Sequence, residues 1–346
     1  MNNTLELINF RIHENIKLSF NKNIIFIYGN NGVGKTTILE SIYFLSTTKS
    51  FKTSTETDMI MKDKEYAKII FHFNNNIYEI VISKKGKYIL VNNKEVNKIS
   101  DYIGLFNTVV FSPDDMELIK GEPKTRRKFI DTMYSQIDKE YLELLIRYKK
   151  MISQRNKLLK ELSLSSYENR DFKVLDIIDY ELSVCGIKIM EKRQYFLDLL
   201  NTHIKNYVNK YSVLITYVKS IKNENNYLEV LKNSRVLDIN NLTTMYGIHK
   251  DDFIIKMNDI PAKNYSSQGE QRLLLINIKL ALFQIIKDKT SNPTILLLDD
   301  IMSELDKDNQ NLILSNIPVS DMVLISNSIK ILNMKNIQEI ELKRGI

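Results

Sequence analysis

Gly29-Asn30-Asn31-Gly32-Val33-Gly34-Lys35-Thr36, near one end of the chain, and Thr294-Ile295-Leu296-Leu297-Leu298-Asp299-Asp300, near the other, decide the fold. The first stretch satisfies G-x-x-x-x-G-K-[ST]. Its glycines let successive backbone N–H groups turn inward on phosphate oxygens, and the helix that follows adds its positive end. Lys35 supplies a flexible point charge for the β- and γ-phosphates, and the Thr36 hydroxyl reaches Mg²⁺. The second stretch is an apolar strand that delivers two carboxylates to its C-terminal edge. One nucleotide site needs both parts side by side, so the two ends of the chain build a single ATP-binding head. Whatever lies between them is largely an insertion.

The flanking sequence agrees. Ile24-Ile25-Phe26-Ile27-Tyr28 runs apolar straight into the glycine loop, as a strand buried on both faces does. Thr37 to Phe44 continues as the helix that the loop opens, so Thr37 joins Gly29–Thr36 in the expected phosphate cradle. A chance glycine-rich turn would lack this strand-before, helix-after setting. Upstream, Leu5, Leu7, Ile8 and Phe10, then Ile16, Leu18 and Phe20, alternate as short strands. Residues 68–96 return to strand character, with Asn74-Asn75-Asn76 and Lys84-Lys85-Gly86-Lys87 as hairpin turns.

From about Pro113 the pattern becomes helical. Leu142, Leu145, Ile146, Lys149 and Ile152 recur at helical spacing within 124–162. A polar break from Ser163 to Asp171 precedes a second helical stretch over about 173–211, which predicts an antiparallel pair. The heptads are not sustained enough for an extended coiled coil. Strand character returns near 213–218 and 253–257. The expected organisation is α/β: a head from residues 1–112 and 243–346, with a mainly helical inserted domain over 113–242.

Composition sets wide bounds. With 346 residues, 43% of them hydrophobic and 26% charged, the chain can bury a substantial core. A net charge of +7 permits an anionic partner without identifying one, because AT-rich coding also inflates Lys and Asn. One cysteine, Cys185, excludes an internal disulfide and a cysteine metal site. It reads as a packed helix residue. No start resembling a signal peptide and no run near the ~18 apolar residues of a membrane span occur. The expectation is a soluble, cytoplasmic protein.

Asp299, at the strand's edge, is placed to hold Mg²⁺ through water, and Asp300 to polarise an attacking water. Ser266-Ser267-Gln268-Gly269-Glu270-Gln271-Arg272 opens a helix running to about Ile286. Locally, Ser267 reads as an N-cap with Glu270 closing a capping box. Its place about thirty residues before the Asp pair follows the order seen in ABC-type ATPases, and Ser303-Glu304-Leu305-Asp306 matches the D-loop of that superfamily in position. There the signature turn of one subunit completes the ATP site of the other. This resemblance implies a homodimer and a catalytic role for Ser267 beside Lys35, Asp299 and Asp300.

The series of blocks resembles one family more specifically, the RecF recombination mediators. Leu7-Ile8-Asn9-Phe10-Arg11 looks like its opening strand, the loop with Asn31 like its glycine loop, and Lys49-Ser50-Phe51-Lys52-Thr53 like the basic block that follows. Phe111-Ser112-Pro113-Asp114-Asp115, Leu118-Ile119-Lys120-Gly121 and Arg126-Arg127-Lys128-Phe129-Ile130-Asp131 are similar to its narrowest motif. Gly247-Ile248-His249-Lys250-Asp251-Asp252, Ser-Gln-Gly-Glu-Gln-Arg and Leu297-Leu298-Asp299-Asp300 complete the match. The resemblance implies an ABC-type ATPase that dimerises on ATP and Mg²⁺ at gapped or junction DNA. It also implies loading of RecA-type recombinase with RecR- and RecO-like partners, in repair, replication and the SOS response.

The chain departs from that family in places. Ile248 and Lys250 stand where Pro and Arg are usual, and Lys lacks the bidentate fork of Arg. Ile325-Ser326-Asn327-Ser328 stands where ABC ATPases often carry a histidine and this family a run of threonines. No glutamine follows Phe111, which leaves Asp114 as the candidate for the Q-loop role. Asp300 replaces the usual ABC glutamate, and the shorter carboxylate fits a slow, switch-like ATPase.

In the insert, residues 121–162 hold eleven Lys/Arg against six Asp/Glu. Lys124, Arg126, Arg127 and Lys128, then Arg147, Lys149, Lys150, Arg155, Lys157 and Lys160, are candidates to track a phosphate backbone. A solvated helix face explains the charge alone. His249 reads either as a contact to a partner or the neighbouring Asp pair, or as a hydrogen-bonded structural residue. The spacing of His13, His72, His203 and His249 suggests no metal site. Two other functions stay open: a structural DNA tether of the SMC type, for which the insert is short, and a nucleotide-gated binding module without significant turnover. A transporter nucleotide-binding subunit would place the two ATP motifs much closer together.

Overall fold

The computed structural model describes residues 3–164, 171–207, 212–265, 267–300, 310, 322–328 and 336–343. The N-terminal elements are β1 (Asn3–Phe10), β2 (His13–Phe20), β3 (Ile24–Tyr28), α1 (Lys35–Thr47), β4 (Tyr66–Phe73), β5 (Asn76–Ser83), β6 (Gly86–Val91), β7 (Lys94–Glu95), α2 (Ile99–Tyr102) and β8 (Asn107–Phe111). Next come α3 (Glu117–Lys120), α4 (Pro123–Ser135), α5 (Lys139–Ser163), α6 (Lys173–Ile204), β9 (Val213–Val218), α7 (Tyr227–Asn233) and α8 (Arg235–Asn240). The described elements end with β10 (Asp252–Met257), β11 (Ile260–Pro261), α9 (Ala262–Tyr265), α10 (Gln268–Lys289), β12 (Thr294–Asp299), β13 (Met322–Asn327) and β14 (Ile337–Glu341). Among the described residues no helix is long and apolar enough to cross a membrane.

Two compact units result: Met1–Asp115 with Arg272–Ile346, and Met116–Gln271. The first contains a five-stranded parallel sheet in the order β14-β3-β13-β12-β8. Ile295 to Leu298 of β12 are all fully buried, and each such side chain is worth about 1.5–3 kcal/mol of transfer free energy. Both ends of the chain meet in this sheet, because β13 inserts between the glycine-loop strand β3 and the Asp strand β12. The α/β head built from both termini, expected from the two motifs, is the fold observed.

The same unit carries a six-stranded antiparallel sheet, β2-β1-β4-β5-β6-β7. Alternating burial in β2, β4 and β5 marks one face turned to a core. That core is aromatic: Phe71 stacks on Phe73 at 5.0 Å between ring centroids, and Tyr78 meets Phe106 at 4.7 Å.

The second unit is mainly helical, with a small sheet ordered β11-β10-β9. Ion pairs Asp138–Lys192, Arg147–Glu181 and Arg155–Asp179 descend α6 as they ascend α5, so the two long helices run antiparallel, as their pattern predicts. Three boundaries differ from the sequence reading. The pattern over 124–162 is two helices, because the Asp138 carboxylate caps α5 by accepting the Tyr141 N–H at 2.8 Å. Helix α6 ends at Ile204. The expected return to the head at residue 243 precedes the division at 271/272, since β10 pairs antiparallel with β9 and thereby stays with the helical unit.

Candidate nucleotide site

The glycine loop leaves β3 at Gly29 and enters α1 at Lys35. Gly32 and Gly34 have φ of +81° and +95°, in the left-handed region that glycine tolerates. Gly29 has no room for a side chain either: a Cβ there would lie 2.4 Å from the Leu342 carbonyl oxygen. Asn30, Asn31 and Gly32 are exposed, whereas Val33 is buried and Thr37 half-buried, which anchors the loop and leaves its crest open. Lys35 is 4% exposed, and its ammonium donates to the carbonyls of Gly29 at 2.8 Å and Asn30 at 3.1 Å. The charge is thus stored over its own loop, where anionic oxygens can replace neutral carbonyls.

The acidic strand arrives beside it. Thr36 Oγ1 donates to Asp299 Oδ1 at 2.8 Å, and Ser326 Oγ donates to the same oxygen at 2.8 Å. Asp299 is 3% exposed, and burial raises its pKa while the two hydroxyls oppose that rise. Lys52, exposed in the loop after α1, also lies close enough for its charge to lower that pKa. Thr36 and Asp299 therefore present hard oxygen donors next to a phosphate cradle. That donor set fits Mg²⁺, which is commonly held by one or two carboxylates with substrate phosphates supplying further ligands. No cluster of three or more His, Cys, Asp or Glu suited to a metal occurs among the described residues.

Asp300 follows with φ of +49°, and its N–H donates to the Ser326 carbonyl at 3.1 Å. A non-glycine residue in that region carries local strain, which sites of chemistry tend to retain. Ser326 thus holds both acidic positions, one through its hydroxyl and one through its backbone. Sequence reasoning did not single it out for that task. The register did contain the signal, since Ser326 lies opposite Asp299 on one side and Ile27 on the other.

Ser267, in the second unit, behaves as its local sequence suggests. Its N–H and hydroxyl donate to Glu270 Oε2 at 2.7 and 2.8 Å, and the Glu270 N–H returns to Ser267 Oγ at 3.3 Å. Ser267, Gln268, Gly269 and Glu270 are exposed, and a Cβ at Gly269 would meet nothing within 4 Å. Ser266 and the candidate D-loop at 303–306 lie outside the described residues.

Other candidates change meaning. Asp114 is exposed on a short turn, while its neighbour Asp115 is ion-paired with buried Lys279. His249 is a structural residue: Nδ1 faces the Tyr148 hydroxyl at 3.2 Å and Nε2 the Thr244 carbonyl at 3.0 Å. Burial pushes its pKa down to about 4, so it is neutral at physiological pH. The Asp pair beside it is held by arginines rather than by Lys250. Arg126 grips Asp252 bidentately at 2.7 and 2.9 Å, and Arg193 meets Asp251 at 3.0 Å. Cys185 is buried and donates to the Leu144 carbonyl, with its thiol pKa pushed up to about 11.

The basic cluster needs correction. Arg155 is 0% exposed and bonds to Asp179 and Asp238, so it cannot track a phosphate backbone; Arg126 is committed to Asp252. Lys124, Lys128, Lys149, Lys150, Lys157 and Lys160 are exposed. The last four fall within about 100° of arc on α5, turned away from its buried face.

The profile of the RecF/RecN/SMC N terminal domain family matches residues 2–339. The chain is 43% identical to the DNA replication and repair protein RecF of Acholeplasma laidlawii, over 99% of this chain and 97% of that one. It is 38% identical to the RecF protein of Clostridium acetobutylicum, over 90% and 89%. Among solved structures, one described as the recombination mediator RecF-ATP of the RecFOR pathway superposes with a TM-score of 0.88 at 32% identity, covering 95% of this chain and 92% of that chain. Its RecF-ATPrS counterpart gives 0.86 at 31%, covering 99% and 96%.

Proposed function

The chain belongs to the RecF family of DNA replication and repair proteins, and from that premise we propose an ATP-dependent DNA clamp that closes as a homodimer on gapped or junction DNA. The observation that carries the reading is the meeting of Thr36, Asp299 and Ser326 at the mouth of the glycine loop, built from opposite ends of the chain. ATP would lie in the cradle of Gly29–Thr37 with Lys35 on its phosphates. Mg²⁺ held by Thr36 and Asp299 would neutralise charge on the β- and γ-phosphate oxygens. The open N-terminus of α10 at Ser267 offers N–H groups and a helix dipole to the γ-phosphate of a second subunit's nucleotide. Two such sites would join two heads.

DNA would be held through its phosphates, and Lys149, Lys150, Lys157 and Lys160 support that contact by their shared face. Binding of this kind is insensitive to sequence and weakens steeply with salt. Hydrolysis assisted by Asp300 would reopen the dimer and set the dwell time on DNA. In the family's context the clamp would work with RecR- and RecO-like partners to load a RecA-type recombinase. The relatives described as members of the RecFOR pathway support that placement.

Asp300→Asn tests the catalytic assignment. The amide is isosteric but a far weaker base, so turnover is expected to fall about a hundredfold while ATP binding stays and the dimer persists. ATPase rates measured beside nucleotide affinity decide it: normal turnover would remove Asp300 from the mechanism.

A further inference from the structure

Gly34 is held from outside the phosphate loop. The β1–β2 hairpin turns at Arg11 and Ile12, with Phe10 opposite His13 across the turn. Arg11 ties this tip to α1 by a bidentate pair with buried Glu40, at 3.0 and 2.7 Å. The next two side chains reach the loop: a Cβ at Gly34 would lie 2.2 Å from His13 Nε2 and 2.9 Å from Ile12 Cδ1. His13 is 5% exposed, and its Nε2 sits 3.3 Å from the Gly34 carbonyl oxygen. That oxygen also accepts the Ile38 N–H at 3.2 Å. A carbonyl only accepts, so Nε2 carries the proton. Burial lowers the ring's pKa, which keeps it neutral at neutral pH.

We propose that His13 is a positioning residue for the nucleotide phosphates, acting through the Gly34–Lys35 peptide. In a planar trans peptide the C=O and N–H point opposite ways. By holding the Gly34 oxygen outward, His13 aims the Lys35 N–H into the cradle. The imidazole touches no phosphate itself. This inference rests on the nucleotide site described above, and it adds a constraint that the loop motif does not contain.

The test compares His13→Phe and His13→Gln for binding of fluorescent ATP and ADP, beside the melting temperature without nucleotide. The Gln amide nitrogen reaches roughly where Nε2 does; the Phe ring fills the space without a donor. One lost hydrogen bond predicts an affinity loss of about five- to tenfold for His13→Phe, the same for ATP and ADP, with His13→Gln within about twofold of wild type. A merely structural role would lower the melting temperature of both variants and leave their affinities alike. If His13→Phe does not fold, His13→Asn, polar but too short to reach, replaces it. Wild-type affinity in the Phe or Asn variant, or an equal loss in the Gln variant, overturns the proposal. A wild type that binds neither nucleotide overturns the nucleotide site and this inference with it.

Discussion

Lys35→Met is expected to abolish the proposed nucleotide-driven assembly while leaving the protein folded. Lys35 is the buried ammonium at the loop, and its present partners are two neutral carbonyls, those of Gly29 and Asn30. Removing it costs the free protein no more than those bonds, about 1–2 kcal/mol. With nucleotide bound, the same ammonium, 4% exposed in the free protein, would face phosphate charge instead. Truncating one member of such a pair costs about 2–5 kcal/mol, so ATP affinity is expected to fall on the order of a hundredfold or more. Isothermal titration with ATP-Mg²⁺ measures the loss, and a melting curve without nucleotide checks the fold. Retained affinity would mean that the loop binds its ligand through backbone alone.

Arg155→Met carries the second large effect, and it acts on stability. Arg155 donates to Asp179 at 2.7 Å, to Asp238 at 2.6 Å and to the Thr244 hydroxyl at 2.9 Å, with all four residues buried. Methionine fills much of the space and leaves the carboxylates behind. Asp179 keeps Arg235, and Asp238 keeps the Ser234 hydroxyl and the Met245 N–H. That partial cover does not restore the missing charge. Breaking a buried pair from one side costs about 3–5 kcal/mol, enough to remove much of a unit's stability. Chemical denaturation of the full chain, with hydrogen exchange on α5, α6 and α8, should show those helices opening first. Exposed Lys157→Ala should change stability by no more than about 0.5 kcal/mol. Similar stability for the two variants would contradict the account of the buried network.

Arg155 also shows what the sequence carried and what it hid. On α5 it falls in the row Leu145, Tyr148, Met151, Leu159, Leu162, all buried, so its helical position placed it on the apolar face. A charge count over 121–162 ignores that position and assigns it to solvent. The acidic partners could not be read, because Asp179 and Asp238 reach Arg155 only after two helices have packed. The same limit hid the arginines on Asp251 and Asp252. The roles of His13 and Ser326 were hidden for a related reason: His13, just past the β1–β2 turn, meets Gly34 on the separate phosphate loop, and Ser326 meets Asp299 through strand register. The glycine loop, the buried Asp strand and the capping box at Ser267 were legible because each is local. A strand, a helix start or a cap needs only its own neighbours in sequence. That the distant loop and strand share one sheet followed from chemistry, since neither makes a nucleotide site alone.

Size-resolved light scattering on a gapped DNA, with and without ATP-Mg²⁺, compares wild type with Ser267→Arg and reads whether ATP closes a dimer on DNA. The substitution removes an exposed cap, worth about 1 kcal/mol, and puts a bulky cation where a second subunit's phosphate would dock. ATP is expected to convert wild-type monomer into a DNA-bound dimer, whereas Ser267→Arg is expected to bind ATP without dimerising. Equal DNA binding without ATP, with no dimer in either protein, would rule out an ATP-closed clamp.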